Sequence, residues 1–310
     1  GAYNVDRDGY VVNQKNQRLQ VYPATTSVAG ITSFSTGVLS DLQLPTTASA
    51  PRATSTVAAA LNLDSTATPI PAATVFNPAQ PSTYNNSTST TLYDSLGNAH
   101  TATMYFRKTA DNAWDGYLYV GGTNVPTAGG SPSFPLTFSS SGVLTSGMPI
   151  AMDNTFNPGG GAANLDLDMD FTGSTQFGTA FAVNNLGQDG FTSGRLSGVD
   201  VDTEGVVFAR YTNGESTALG KVAMAKFNNV QGLRQVGDTN WAETFASGVT
   251  QLGEAGTSSF GQIQSGALES SNVDIAEQLV KLITAQRNFQ ANAEVISTAD
   301  NVTQTIINIR

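Results

Sequence analysis

The sequence predicts a mainly β protein that ends in one long α-helix. Charged residues make up only 12% of the 310 residues, about half of the ~25% that is usual in globular domains. The chain is instead rich in Thr, Ser, Asn and Ala and holds 31 glycines, a composition typical of strands joined by many turns. The residues after 271 break this pattern, because they contain no Gly or Pro and repeat apolar residues every three or four positions.

One β domain is predicted from two separate parts of the chain, residues 1–44 and 192–246. Val5–Val11 places Asp-Gly between two β-prone runs, which is a strong hairpin signal. Val201–Val207 repeats that pattern almost position for position. The two similar hairpins indicate one domain built from both parts, with everything between them as an insertion. A further strand follows the first hairpin and is expected to end at Pro23.

The insertion, residues 45–191, is interpreted as a second β domain. Residues 45–90 are dominated by Pro, Thr, Ala and Ser, and strand-like patterns follow them. They include Thr90–Tyr93, Ala102–Arg107 and Trp114–Val120. Leu165–Phe171 alternates apolar and acidic residues with period two, which predicts a strand with one buried and one exposed face.

Residues 247–271 are predicted to form a flexible linker. Glycine recurs there every few positions, and neither helical nor strand periodicity persists. Because glycine permits many backbone conformations, its positions suit a hinge. The candidate hinge residues are Gly248, Gly253, Gly256, Gly261 and Gly266.

Residues 272–310 are predicted to form one amphipathic helix. Ser271 followed by Asp274 gives a cap-like start, with an acid in the first turn where the helix dipole is positive. Apolar residues at nearly heptad spacing continue to Ile309 and predict coiled-coil packing. The apolar positions and one glutamine among them are called the seam: Ile275, Leu279, Leu282, Gln286, Phe289, Ala293, Ile296, Val302 and Ile306.

The seam predicts a partner for this helix. No other part of the chain has the pattern of a comparable helix, and a helix with an exposed apolar stripe is marginally stable alone in water. The partner would come from other copies of the chain, from a segment outside it, or from both. Gln286 and Asn292 interrupt the apolar character, and they either fix the register of the packed helices or face solvent.

Charge and composition exclude several classes of function. The net charge of −10 and a pI of about 4.4 disfavour binding to nucleic acid or to an anionic membrane surface. The sequence contains no run of 18 apolar residues, so no segment is predicted to insert into a membrane. The chain has no Cys, which excludes thiolate nucleophiles and Cys-based zinc sites. Its one histidine, His100, is not accompanied by a G-x-S-x-G nucleophile motif.

Three acids at alternate positions, Asp166, Asp168 and Asp170, begin like a calcium-binding loop. However, Phe171 stands where such a loop requires Gly, and Phe177 stands where it requires Glu. We therefore interpret the acids as the solvated face of a strand. The sequence assigns no catalytic, cofactor-binding or metal-ligating residue and predicts that the protein is not an enzyme.

Four stretches of the chain resemble the rod and hook family of bacterial flagellar axial proteins. Gly266–Asp300, which reads GALESSNVDIAEQLVKLITAQRNFQANAEVISTAD, is similar to the C-terminal signature of that family. Thr91–Lys108, Val5–Thr25 and Trp241–Gly261 are similar to the hook members of the family in particular. The four stretches together cover about a third of the chain.

The resemblance implies a structural protein that self-assembles into a flexible, curved tube and transmits motor torque as a universal joint. The C-terminal helix would then lie in an inner coiled coil around a central channel. The split domain would surround it as the inner β domain, and the insertion would face outward as the outer β domain. Implied partners are further copies of the chain and the rod, hook-cap and hook–filament junction proteins. The implied location is extracellular, after flagellar type III export.

The same resemblance implies a helical N-terminal segment that pairs with the C-terminal helix, and on this interpretation the chain lacks it. Two alternatives stay open. A rod protein of the same family is disfavoured by the long insertion. A secreted carbohydrate-binding β protein would use exposed aromatic residues such as Trp114 and Tyr117, but this alternative gives no reason for the terminal helix.

Overall fold

The computed structural model describes residues 2–26, 32–257 and 259–308. These residues fold as two compact units, of which one spans Tyr3–Ser265 and the other holds Ala2 and the residues from Gly266 onward. The first unit is built of β-sheets, and the second contains the one α-helix of the described residues. The predicted fold class, mainly β with a long C-terminal helix, is therefore confirmed.

The described residues contain twenty strands, numbered in chain order. The first five are β1 (Asn4–Val5), β2 (Val11–Val12), β3 (Gln20–Thr26), β4 (Thr32–Phe34) and β5 (Ser40–Asp41). The next nine are β6 (Thr56–Asn62), β7 (Asn86–Tyr93), β8 (Ala99–Ala110), β9 (Ala113–Val120), β10 (Thr123–Val125), β11 (Phe134–Thr137), β12 (Ile150–Ala151), β13 (Asp168–Asp170) and β14 (Ala182–Gln188). The last six are β15 (Leu196–Val201), β16 (Val206–Tyr211), β17 (Ser216–Lys226), β18 (Arg234–Gly237), β19 (Asn240–Ala242) and β20 (Gln251–Glu254). The helix is α1 (Ile275–Asn308).

Strands β6 to β14 form two sheets that share one core. One sheet has the order β10-β9-β8-β7, with β11 also paired to β9, and the other has the order β12-β13-β6-β14. Their buried apolar side chains form a single cluster, in which Phe106, Trp114 and Phe171 are among the largest. Burying a side chain of this kind stabilises a fold by about 1.5–3 kcal/mol. This cluster is therefore the main source of stability for the middle of the chain.

The period-two pattern predicted for Leu165–Phe171 is confirmed. Its four apolar residues are buried, whereas Asp166 is exposed and Asp168 and Asp170 are half-buried. The three strands predicted earlier in the insertion are confirmed as β7, β8 and β9, each longer than the sequence pattern indicated.

The two outer parts of the β unit together build a seven-stranded sheet. Its order is β15-β16-β17-β3-β4, with β5 paired to β3 and β20 paired to β17. A small core centres on Val21, Leu42 and Val207. The strands from the two parts of the chain meet where β3 pairs with β17, so one sheet joins segments that lie far apart in sequence.

The two predicted hairpins contain the same turn. Asp6 Oδ1 accepts hydrogen bonds from the main-chain N–H groups two and four residues ahead, and Gly9 has a φ of 86°. Asp202 Oδ1 accepts the equivalent two bonds, and Gly205 has a φ of 83°. Glycine adopts such positive φ angles at no steric cost, which explains why both turns have Asp followed three residues later by Gly.

Strand β3 does not end at Pro23, and that prediction is wrong. The strand pairs with β17 over Val21–Pro23 and with β4 over Ala24–Thr26. On the edge opposite β17, β5 pairs with Gln20 and Val21, and β4 pairs from Ala24 onward. Pro23 therefore lies where β4 takes over from β5, a position at which the missing N–H interrupts no continuous ladder. Its carbonyl oxygen accepts a hydrogen bond of 3.1 Å from Ser35 N.

Candidate assembly site

Helix α1 begins with a cap at Asp274. Asp274 Oδ1 accepts hydrogen bonds from the N–H groups of Ala276 at 2.8 Å and Glu277 at 3.4 Å, which satisfies donors that the first helical turn leaves without partners. Ser271 Oγ accepts its bond from Val273 N, outside the helix. The helix therefore begins three residues later than predicted, and Asp274 is the capping residue.

Every residue of α1, including the seam, is exposed. The exposed fraction of Phe289, the largest seam residue, is 77%. Ile309, the last residue of the predicted apolar pattern, lies outside the described residues. Because apolar surface in water is unfavourable, the seam has the character of an interaction surface.

The seam is a single stripe only as far as Ile296. At 3.6 residues per turn, its first seven members lie on one side of α1. Val302 follows Ile275 by about 7.5 turns, so Val302 and Ile306 lie on the opposite side of a straight helix. Winding at 3.5 residues per turn, as in a coiled coil, brings both closer to the stripe.

Four large apolar side chains of α1 lie outside the seam, and sequence reasoning missed them. Val280, Ile283, Val295 and Ile307 are all exposed. The helix is thus apolar on more than one side, a pattern typical of helices that are surrounded by other helices. The signal was present in the sequence, since Val280 and Ile283 directly follow two seam residues, but a heptad count assigns only one stripe.

The segment ahead of α1 is not structureless, which corrects the linker predicted over 247–271. Strand β20 pairs with β17, and the ring of Phe260 packs on Gly253, where an added Cβ would lie 2.1 Å from the ring. The N–H of Ile263 donates a 3.0 Å hydrogen bond to the carbonyl oxygen of Thr203. The segment is therefore folded onto the β unit as far as Ile263.

A partly buried ion pair holds β20 in place. Lys221 of β17 is buried, and its Nζ lies 2.6 Å from Oε2 of Glu254. A buried ammonium group without a partner is strongly unfavourable. The pair therefore couples β20 to the centre of the seven-stranded sheet.

The five candidate hinge glycines have different surroundings. Gly248 and Gly256 have φ angles of 79° and 78°, and Gly256 N donates to the carbonyl oxygen of Gly261 at 3.1 Å. Gly253 lies inside β20. Gly266 has a φ of 70°, no described atom lies within 4 Å of its added Cβ, and it stands at the border of the two units. The hinge stays a prediction, which Gly266 fits best.

Replacing Glu254 with Gln is expected to loosen β20. Removing the carboxylate leaves the buried Lys221 ammonium with a weaker partner, at a local cost of about 2 kcal/mol, because Glu254 retains some contact with water. Amide hydrogen exchange at residues 251–254 should then be roughly 30-fold faster. The matched control is E269Q, which removes the same charge from an exposed position. Equal protection of β20 in both variants would contradict this role for the pair.

The aromatic residues proposed for a sugar site are buried, and that prediction is wrong. Trp114 has an exposed fraction of 1% and donates from Nε1 to Gln176 Oε1 at 3.1 Å. Tyr117 lies beneath Phe76, with the two rings parallel and 3.8 Å apart. Trp114 falls on the core side of β9, and a loop distant in sequence supplies the ring that covers Tyr117.

The single histidine lies beside a buried carboxylate. His100 Nε2 is 2.9 Å from Asp94 Oδ2, and the Asp94 carboxylate also accepts hydrogen bonds from Leu96 N, Asn98 N and Asn98 Nδ2. Burial raises the pKa of Asp94, but the bonds from His100, Asn98 and Leu96 outweigh it and hold that pKa well below its usual range. The arrangement closes the turn between β7 and β8.

Two features are absent from the described part of the chain. No helix there is long and apolar enough to cross a lipid bilayer. Residues 2–26, 32–257 and 259–308 contain no group of three or more His, Cys, Asp or Glu side chains arranged to hold a metal ion. Asp170, one of the three alternating acids, accepts a hydrogen bond from Thr172 N.

Two protein-family models match parts of the chain. The model described as flagellar basal body protein FlaE D2 domain matches residues 62–191. The model described as flagellar basal body rod FlgEFG protein C-terminal matches residues 264–309. The second match includes all nine seam residues.

Individual relatives extend the similarity to the whole chain. The flagellar hook protein FlgE of Salmonella typhimurium is 36% identical over 313 residues, which covers 100% of this chain and 76% of that protein. The chain belongs to the flagellar hook protein family. The flagellar hook protein FlgE of Borreliella burgdorferi is 32% identical over 334 residues, with 100% of this chain and 74% of that protein covered. The resemblance to the hook proteins is therefore confirmed.

A solved structure of the hook protein family has a similar fold. The crystal structure of the Helicobacter pylori flagellar hook protein FlgE2 aligns with a TM-score of 0.59 over 87% of this chain and 90% of that chain. The two sequences are 14% identical in this alignment, so the likeness concerns the fold alone.

Proposed function

We propose that the chain is the structural subunit of a bacterial flagellar hook and that it self-assembles through α1. The exposed apolar surface of this helix, in a member of the hook protein family, carries the proposal. A 34-residue helix is about 50 Å long, and such an apolar surface is stable in water when other helices cover it. Apolar side chains on more than one side suit a helix enclosed by several copies.

The remaining elements fit a radial arrangement around that helical core. Residues 1–44 and 192–246 would form an inner β domain, and residues 45–191 would form an outer β domain inserted into it. The large shared core of the insertion and the continuous seven-stranded sheet support the treatment of each as a stiff body. Such a subunit would pass torque through the wall of a tube.

A tube that bends as it rotates also needs compliant points. We place the hinge of this chain between residues 264 and 273, after the last main-chain bond of Ile263 to the β unit and before the Asp274 cap. Outer contacts between copies would be made by small polar residues such as Thr, Ser and Asn, which are abundant in the insertion. Water-mediated contacts of this type exchange at low cost.

The partners and the location follow from this role. The subunit would contact other copies of itself along the tube and the rod, hook-cap and hook–filament junction proteins at its ends. It would act outside the cell as part of the flagellar hook and basal body. We assign it no catalytic activity, since its role is mechanical.

Electron microscopy of purified protein tests the proposal. The 310-residue chain is compared with a version that carries the N-terminal helical segment implied by the family resemblance. We expect tubes from the longer version and none from the 310-residue chain, because the seam needs the helical partner. Monomers from both versions, under conditions that favour assembly, would overturn the proposal.

Removing the insertion is expected to leave a chain that still assembles, into a straighter tube. All strands of the seven-stranded sheet lie outside residues 45–191, and Ser49 N donates to Gly194 O at 2.8 Å, so a short Gly-Ser linker joins the cut ends. The helix is untouched, whereas outer contacts between copies are lost. Electron microscopy of the longer version with this deletion measures the yield and curvature of the tubes. Loss of all assembly by a folded deletion variant would contradict the expectation.

A further inference from the structure

The two β domains are joined by a ribbon of two chain segments, residues 49–54 and 189–194, here called the neck. The segments run antiparallel, with Ser49 N donating to Gly194 O at 2.8 Å and Arg52 and Phe191 exchanging main-chain bonds of 2.9 and 3.0 Å. A two-stranded ribbon resists stretching because main-chain hydrogen bonds between its two strands hold them in register. Alone it bends and twists easily, so its direction depends on what packs beside it.

On the side of the insertion, the neck is anchored by Asp189. The Asp189 carboxylate accepts hydrogen bonds from Ser55 N, Thr56 N and Ser55 Oγ and forms a 2.8 Å ion pair with Arg52. Gly190 packs so closely that an added Cβ would lie 2.3 Å from Thr54 Oγ1. This end of the neck is therefore fixed to the insertion.

A turn of the insertion, Asp94–Asn98, presses on the middle of the neck. The turn is held by the buried Asp94 carboxylate, and Gly97 has a φ of 84°. An added Cβ on Gly97 would lie 2.9 Å from Pro51 Cβ and 3.3 Å from Thr192 Oγ1. The contact is close only because Gly97 has no side chain.

A turn of the inner β domain holds the neck by the same residue. Asn213 Nδ2 donates to the carbonyl oxygen of Thr192 at 2.7 Å, and Thr212 Oγ1 accepts from Arg195 N at 3.0 Å. Gly194 lies directly against Asn213, with its added Cβ 2.7 Å from Asn213 Cγ. Thr192 is thus contacted by one turn from each domain.

We propose that these two turns form a brace that sets the angle between the inner and outer β domains, with Gly97 as its contact point. The inference rests on the proposed division into two β domains. It assigns the limit on the angle of the outer domain to contacts within this chain rather than to contacts with other copies. Without the brace, the neck is a free ribbon and the angle between the domains spreads.

Distances between spin labels, measured by pulsed electron paramagnetic resonance, test the brace in the full 310-residue chain. The chain has no cysteine, so T172C and E204C, at exposed positions in the outer and inner domain, give two unique attachment points. In G97A the added Cβ must move from the neck by on the order of 1 Å to reach a normal contact distance. We expect the mean distance between the labels to shift by at least that amount, because a rotation about the neck displaces residues farther from it by a larger distance.

The matched control is G122A. Gly122 has the same φ of 84° and lies in a turn of the insertion, but no atom of the described residues lies within 4 Å of its added Cβ. Its distance distribution should equal that of the parent chain. A distribution in G97A that also equals the parent, with circular dichroism showing a folded chain, would overturn the brace.

A second variant keeps the test decisive if G97A does not fold. N213A removes the bond from the inner domain to Thr192 without adding any atom, and it is expected to broaden the distance distribution. An unchanged width in N213A would overturn the brace. Neither result bears on polymerisation, which electron microscopy measures separately, so failure of the brace and failure of the proposed function are distinguishable.

Discussion

Replacing Leu282 with Asp is expected to abolish polymerisation while leaving the β unit folded. Leu282 lies in the seam and is exposed in the single chain, so the substitution removes no packing within the chain. In a tube built on α1, the same position is covered by another helix. A carboxylate enclosed there without a partner costs several kcal/mol, and about 3 kcal/mol already weakens a contact by more than ~100-fold. Ile296→Asp should have the same effect.

The control for this prediction is N288D. Asn288 lies on the same helix outside the seam and is already polar and exposed, and the change adds the same charge with almost no change of shape. Tube yield is measured by sedimentation and electron microscopy in the longer version of the chain, and folding is measured by circular dichroism. Normal tubes from L282D or I296D would show that the seam is not the polymer core. Loss of tubes in N288D as well would show that the effect is not specific to the seam.

The parts of this fold that the sequence predicted are those with local signals. Leu165–Phe171 shows its burial pattern directly, because successive residues point alternately to the core and to the solvent side. The two hairpins are encoded by an Asp and a Gly three residues apart, which fix the turn by hydrogen bonds and by a positive φ. The terminal helix is signalled by the absence of Gly and Pro and by its apolar spacing.

The parts that sequence reasoning missed depend on distant contacts. Strand β6, with the sequence TVAAALN, has little intrinsic preference for β structure, yet it lies in its sheet between β13 and β14. Its residues Val57, Ala59 and Leu61 enter the shared core, and the strand is held by its two neighbours in the sheet, which is a tertiary effect. Phe76 likewise covers Tyr117 from a loop some forty residues earlier.

Glycine has two meanings that the sequence alone does not separate. The glycines of the segment ahead of α1 suggested flexibility, but Gly253 is required in β20 because the Phe260 ring occupies the space of a side chain. Gly266 lies in open space and keeps the flexible interpretation. The seam has a similar ambiguity, since a heptad count identifies its stripe but not the second apolar face marked by Val280 and Ile283.

Replacing Asp94 with Ala is expected to destabilise the outer β domain by about 3 kcal/mol. The carboxylate is buried and accepts main-chain bonds from Leu96 and Asn98 at 2.9 Å, in addition to the bond with His100. Without it, partly buried donors around the turn lose their partner, at about 1 kcal/mol each. The midpoint temperature of thermal unfolding should fall by roughly 10 °C. The control D166A removes the same charge from an exposed position, and an equal shift in both variants would contradict a special role for Asp94.

The same carboxylate gives a dependence of stability on pH whose direction is fixed. Burial raises the pKa of Asp94, but its hydrogen bonds outweigh burial, so the pKa in the folded chain lies below that in the unfolded chain. A group of this kind contributes its full stabilisation above the unfolded pKa of about 4 and loses it as the pH falls toward the folded pKa. The free energy of unfolding should therefore fall below about pH 4 in the parent and fall less steeply in D94N, which cannot titrate there. Equal slopes in urea titrations of the two proteins would show that Asp94 is not held in its charged form by the turn.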